Sequence, residues 1–385
     1  VPEVEYVPYG PPEAGQRPAC ELVATFGDLE PEYAAIRRGA GVFDSPHRGT
    51  LLITGADRRD FLNRMVTQEL KDLEAGAVKP TFWLNRKGRI EADLLLIELG
   101  DRMFVDVDVH RVEHTAATLS EFVFTEDVAI ADVTGSFHHI AVHGPLAGAA
   151  MRAAGPRDLD LEAPGAAVVG VGGVEVVVAR RDQTGETGLE LIAPYDKAAI
   201  VWDGLMGAAD TVGEGGRRVR PVGWYALNIA RIEAGTPLFN IDFGPASLPH
   251  ETGVLHDRVS FTKGCYLGQE IVARTENLGR AKQVLVGLRP TRDLLPVAGE
   301  AVFALGDAQQ PKAGPQIGVV TSSTPSPMLG SVPIAFAMLR SSHAEPGTTV
   351  LVIAEGELAE AAVGGLRFLP PSGPAESPPG RGESA

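Results

Sequence analysis

Two spacings of apolar side chains alternate along the chain. Helical spacing, with apolar residues three and four apart, predicts helices at Pro31–Arg38, Ala56–Glu69, His110–Phe122, Pro145–Ala154, Asp196–Ala208 and Val222–Ala234. In the second of these, Phe61, Leu62, Met65 and Val66 share a face; the last is closed by Gly235 and Pro237. Short, dense apolar runs predict strands at Thr50–Thr54, Val128–Val133, Ile140–His143, Val174–Arg180 and Leu189–Ala193. A hairpin of Asp93–Leu99 with Met103–Val107 turns at Gly100-Asp101. Beyond about Leu278 the helical spacing stops. Lys282–Arg289, Ala301–Ala304, Ile317–Thr321, Ile334–Met338, Thr349–Ile353 and Ala361–Phe368 are short apolar runs between Gly, Pro and Asp clusters, the pattern of a small all-β barrel or sandwich. The fold class expected is α+β. A flexible segment over 1–20 precedes a body over 21–278 with two interleaved subdomains, a β domain over 279–369 and a disordered Pro/Gly/Ser tail over 370–385.

Composition narrows the classes. The 385 residues are 44% hydrophobic, enough for sizeable cores and for two or three domains. With 34 basic against 50 acidic residues the formal charge is −16, so no general attraction to nucleic acid or anionic membrane is expected. Two cysteines, Cys20 and Cys265, are too few for a disulfide scaffold and fit a reducing compartment. No 18-residue apolar run and no secretory signal appear, so the expectation is a cytoplasmic protein without a membrane partner.

Phosphate-loop and nucleophile-elbow motifs are absent; Gly170-Val171-Gly172-Gly173 reads as a hairpin turn. His110-Arg111-Val112-Glu113-His114 fits a zinc-protease pattern, but a solvated helix face is the simpler reading. His138 and His139 would point to opposite faces of a strand. The most informative stretch is Phe261–Arg280. There Cys265 follows Lys263 and precedes a helix start, a setting that lowers a thiol pKa. Tyr266 offers a stacking face and Gln269 a two-way hydrogen-bonding group, while a buried structural cysteine is an equal reading. In Val222–Ala234, Glu233 closes an apolar helix face, where a carboxylate needs a partner. Arg231 is one choice; the amidine-like edge of a pterin or guanine is the other.

The chain resembles the folate-binding family that includes the glycine-cleavage aminomethyltransferase (T-protein) and the YgfZ-type proteins. The resemblance rests on Arg37–Asp44, Thr50–Gly55, Phe61–Asn63, Gly88–Asp93, Thr184–Glu190, Ala230–Gly235 and Pro249–Glu251, with Val319–Ser323 and Pro346–Thr348 in the β domain. Lys263-Gly264-Cys265-Tyr266-Leu267-Gly268-Gln269-Glu270 resembles the YgfZ branch, in which Val272-Ala273-Arg274 also recurs. Where T-proteins carry paired aspartates, Gly88-Arg89-Ile90-Glu91-Ala92-Asp93-Leu94 keeps only Asp93.

The resemblance implies a three-domain ring around a central tetrahydrofolate cavity, with a C-terminal β-barrel. It implies that Glu233 grips the pterin, that Asp93 lines the cavity, and that Cys265 supplies a thiolate for sulfur, a cluster or a one-carbon unit. Tyr266, Gln269, Lys263 and Arg274 join the binding set, Lys263 and Arg274 favouring the thiolate or meeting the anionic folate tail. The function implied is accessory to iron–sulfur cluster assembly or repair, with cluster enzymes or assembly factors as partners. The alternative is a folate-dependent aminomethyltransferase with Asp93 as catalytic carboxylate. A Cys265 hydrolase using His250 or His256 as base is the remaining class.

Overall fold

The computed structural model describes residues 3–10, 20–156, 165–208, 211–212, 219–279, 281–306 and 313–370. Strand β1 (Glu5–Tyr9) pairs antiparallel with β2 (Cys20–Thr25). Then come α1 (Leu29–Arg38), β3 (Ala40–Asp44), β4 (Arg48–Thr54), α2 (Arg58–Met65), β5 (Val78–Leu84), β6 (Ile90–Glu98) and β7 (Met103–Asp108). Next are α3 (Val112–Ser120), β8 (Ala129–Asp132), β9 (Phe137–His143), α4 (Ala147–Ala154), β10 (Ala166–Val171), β11 (Val174–Arg180) and β12 (Gly188–Pro194). The body ends with α5 (Ala198–Gly207), β13 (Val219–Pro221), α6 (Trp224–Ala234), α7 (Leu255–Arg258) and α8 (Gln269–Leu278).

Two sheets build the body. One has five strands in the order β5-β6-β7-β4-β8, the other six in the order β10-β11-β12-β9-β3-β13. The side-chain period of two explains how the six-stranded sheet is covered. Ile140 and Val142 of β9, with Leu189 and Leu191 of β12, enter a core closed by α4 and α5. The opposite face has two covers. Val177, Ala179 and Ile192 meet Leu95, Ile97 and Phe104 of the five-stranded sheet. Phe43 and Ala141 meet Leu227 and Ala230 of α6.

The C-terminal strands β14 (Gln283–Pro290), β15 (Ala301–Ala304), β16 (Gln316–Ser326), β17 (Val332–Arg340), β18 (Thr349–Ala354) and β19 (Glu357–Gly364) close into a barrel, β14 pairing with both β17 and β19. Closure leaves no sheet edge to pair with another chain. Helix α6 docks the barrel on the body: Arg231 donates to Ser322 Oγ at 2.6 Å, and the main-chain carbonyl of Glu233 accepts from the amides of Phe368 and Leu369. Gly235, at φ 80°, lets the chain leave α6 where a Cβ would stand 2.7 Å from Arg367.

The expected helices and C-terminal strands agree with this architecture, but strands β2, β3, β5 and β13 are not among the expected elements, and there are local differences. Helix α2 stops at Met65, because Val66 turns into a bridge with Trp83. The segment over 1–20 is not wholly flexible, since Glu5–Tyr9 is a strand; residues 11–19 and the tail 371–385 lie outside the described residues. Ala361–Phe368 is a strand only to Gly364. No helix among the described residues is long and apolar enough to cross a membrane.

Candidate functional site

Where the two covers of the six-stranded sheet meet, a narrow cavity remains. Its wall includes Asp93 of β6, His143 of β9, Glu190 of β12, and Trp224 and Arg231 of α6. Its free volume is about 30 Å³, room for a water or two. It shares Asp93, Arg181, Gln183 and Leu238 with a wider cavity of about 250 Å³ that Arg258 also lines. On the other side it shares Tyr9, Trp224 and Arg231 with a groove of about 310 Å³ against the barrel. The three spaces adjoin in a row across the molecule, narrowest at the centre.

Tyr9 narrows it. The side chain comes from β1, donates to Asp108 Oδ2 at 2.5 Å, and sets its ring edge-on to His47 at 5.0 Å and stacked on His110 at 5.7 Å. His47 is hemmed in further by Phe43 and Trp224. Its burial, with Arg48 and Arg181 nearby, holds its pKa well below the usual imidazole range. His143 is also buried, and burial with Arg181 pushes it down to about 4. Among the described residues, neither ring nitrogen of His143, nor Nδ1 of His47, has a hydrogen-bond partner. Gly188 opposite makes room for the His143 ring, since a Cβ there would stand 2.9 Å from Nδ1. Buried polar atoms without partners on a cavity wall are atoms that a bound molecule or water must satisfy.

Below the cavity runs a buried charge network. Asp106 accepts from Arg48 Nε at 2.6 Å and from Arg181 Nη1. Burial opposes ionisation of Asp106, but the two guanidinium groups outweigh it and hold its pKa well below the usual carboxylate range. Arg181 Nη1 also lies 3.9 Å from Glu190 Oε2. Asp93 is steadied by one hydrogen bond from Arg258 Nε to Oδ1, at 2.8 Å.

The sequence-predicted residues separate into two places. Asp93 lies in the cavity. Glu233 does not: it is fully buried between body and barrel, accepting from Tyr33 Oη at 2.6 Å, Arg37 Nη2 at 2.5 Å and Ser326 Oγ at 2.5 Å. Its partners are therefore protein groups, and Arg37 rather than Arg231 is its cation; Arg231 pairs with Asp242 at 2.5 Å. Lys263 is not a thiolate partner in this structure. Its Nζ donates to the carbonyls of Asn63, Val66 and Gln68 at 2.6–2.7 Å, closing the end of α2, and its burial lowers its pKa to about 8. Tyr266 is buried in a core with Phe82 and Phe239, its ring 5.2 Å from Lys263 Nζ. Cys265 and Arg274 are exposed and Gln269 is half-buried; none of the three lines the cavities described above. Helix α8 begins at Gln269, so the thiol stands before the helix rather than on its first turn.

Two other sequence motifs also separate. His138 contacts Asp44 and His139 contacts Glu190, on opposite faces as expected. His110 contacts the Tyr9 carbonyl and His114 contacts Glu91. Among the described residues no three His, Cys, Asp or Glu side chains converge to hold a metal ion.

The sequence reading gave Glu190, His47, His143, Arg181 and Tyr9 no role. A signal existed for Glu190: it is the one charged residue in the apolar run Gly188–Ala193. For Tyr9 there was none, because its place depends on how β1 pairs.

A two-sheet body and a closed barrel, packed together beside a narrow polar cavity, define a multi-domain architecture. Comparison with known proteins identifies it further. Residues 15–263 match the GCVT N-terminal domain and residues 283–369 match the glycine cleavage T-protein C-terminal barrel domain. The chain belongs to the glycine cleavage T-protein family. An aminomethyltransferase of Streptomyces coelicolor is 30% identical over 333 residues, covering 85% of this chain and 86% of that relative. One of Corynebacterium jeikeium is 31% identical over 355 residues, covering 88% and 87%. The crystal structure of the glycine cleavage system aminomethyltransferase T from Bartonella henselae shares the fold, with a TM-score of 0.75 at 24% identity, over 91% of this chain and 92% of that one.

Proposed function

We propose that the central cavity binds tetrahydrofolate and that the protein is a folate-dependent transferase of the aminomethyltransferase kind. The observation that carries this reading is the cavity wall itself. It sets two carboxylates, Asp93 and Glu190, beside the unpartnered nitrogens of His47 and His143. A pterin carries an amide and an amidine edge, and such a set of acceptors and neutral donors complements it. Glu190 takes the gripping role that the sequence reading gave to Glu233. The free volume at the centre is smaller than a pterin, so the ring enters only as side chains around Tyr9 give way.

Tetrahydrofolate, when bound, supplies the nitrogens that receive a one-carbon unit. The chain's own residues orient and protect. Trp224, Phe43 and Leu227 keep the cavity apolar on one side. Asp93 is positioned to hold or move a proton, with Oδ1 fixed by Arg258 and Oδ2 left for a ligand. The test is release of ammonia and methylene-tetrahydrofolate from a lipoyl-aminomethyl donor by the purified protein. Wild type is expected to turn over, Asp93→Asn to lose turnover while binding folate, and Glu190→Gln to lose folate binding. No turnover by wild type with folate bound would remove the transferase reading.

One observation favours a second reading, an accessory role in iron–sulfur cluster assembly or repair. The Lys263–Glu270 motif presents Cys265 at the surface, where a thiol can meet a partner protein. That role asks for complementation of cluster-enzyme activity to depend on Cys265.

A further inference from the structure

Glu190 is held from behind. On β9, next to β12 in the same sheet, His139 sets Nδ1 3.1 Å from Glu190 Oε1. Its other nitrogen, Nε2, lies 2.7 Å from Thr50 Oγ1 on β4 of the facing sheet. Thr50, His139 and Glu190 are each at most 2% exposed. A carboxylate oxygen is an acceptor, and the arrangement that satisfies both groups has the facing Nδ1 carry the proton. In the neutral ring Nε2 is then the acceptor, and the Thr50 hydroxyl is placed to donate to it.

The alternative position for this carboxylate is close by. Arg181 Nη1 is 3.9 Å from Oε2 and already donates to Asp106. Without the imidazole, Glu190 would swing onto Arg181 and close its free oxygen to a ligand. We infer that His139 is the positioning residue of the cavity: it pins Oε1 of Glu190 through Nδ1–H, with Thr50 fixing the ring, and so presents Oε2 to the bound ligand. The groups facing the imidazole are Glu190, itself on the cavity wall, and Thr50, with His47, Arg181, Asp106 and Arg48 beyond them. The inference rests on the folate reading of the cavity for the identity of the ligand, but not for the Nδ1 contact.

Two measurements on the full-length protein test it. Imidazole ¹⁵N shifts of the free protein, with the His139 signal assigned by its loss in His139→Asn, are expected to show Nδ1 protonated. An unprotonated Nδ1 overturns the inference. Calorimetry with tetrahydrofolate is expected to give about tenfold weaker binding for His139→Leu, and near-wild-type binding for His139→Asn, whose amide restores a donor close to the Nδ1 position. Thr50→Val, which keeps the shape and removes the hydroxyl, is expected to weaken binding about threefold, and it carries the test should His139→Leu fail to fold. A folded His139→Leu or Thr50→Val that binds as wild type overturns the positioning role. Wild type that does not bind tetrahydrofolate overturns the folate reading instead, and the ¹⁵N spectrum still decides the contact.

Discussion

Arg37 and Glu233 form a buried ion pair, Nη2 to Oε2 at 2.5 Å, that ties α1 to the last turn of α6. The same carboxylate accepts from Ser326 of the barrel, so one acidic side chain joins two parts of the molecule. Removing its charge leaves a guanidinium buried without its main counter-ion. Glu233→Gln is expected to cost about 3 kcal/mol of stability, measured by chemical denaturation. Tetrahydrofolate affinity of the folded protein should stay within about twofold of wild type. A large loss of affinity at unchanged stability would return the pterin-gripping role to Glu233.

Tyr9 stands in the narrowest part of the cavity row. Tyr9→Ala removes the ring and the hydrogen bond to Asp108. The expected result is faster association of tetrahydrofolate in stopped-flow fluorescence, with a stability loss of about 2 kcal/mol from the truncated, half-buried side chain. An unchanged rate would mean that the ring enters from the Arg258 side.

His143 is expected to make the protein acid-sensitive. Its pKa falls from the usual 6.5 to about 4 because it is buried beside Arg181. The folded state therefore resists a proton that the unfolded chain accepts below pH 6.5. Stability contributed by the neutral ring is complete above that pH and declines as pH falls toward 4. The interval corresponds to about 3 kcal/mol. His143→Gln, which cannot titrate, is expected to show a shallower decline between pH 6.5 and 4, followed by denaturation midpoints at each pH. Parallel curves for the two proteins would refute this.

Cys265 is exposed and lines none of the cavities around Asp93. Cys265→Ser is expected to leave stability within about 0.5 kcal/mol of wild type and to leave folate binding and aminomethyl transfer unchanged. Loss of cluster-enzyme complementation by this variant, with folate binding intact, would favour the accessory role.

The all-β character of the C-terminal domain was legible because β14 to β19 are short apolar runs divided by turn residues, a purely local pattern; its closure into a barrel was implied only by the family resemblance. The helical faces of α3 to α6 were legible for the same reason, as was the opposite orientation of His138 and His139 on β9. Strand β1 was not, because Pro8 within Glu5–Tyr9 argues against a strand and the segment becomes one only by pairing with β2.

The site divides along the same line. Local sequence marked Asp93 through the Gly88–Asp93 stretch, and it marked Glu233 as a carboxylate needing a partner. It could not say which partner, since Arg37, Tyr33 and Ser326 come from elements 93 to 200 residues away. The motif around Cys265 reads as one unit in sequence, yet Lys263 turns inward to cap α2 while Cys265 faces water. By itself the sequence determined the family, most helices of the body and the presence of a carboxylate that must be paired. Only the tertiary structure decided that Glu190 and Asp93 share a cavity with two neutral histidines. Strand periodicity fixes which face a side chain takes, whereas the packing of one sheet against another fixes what it meets there.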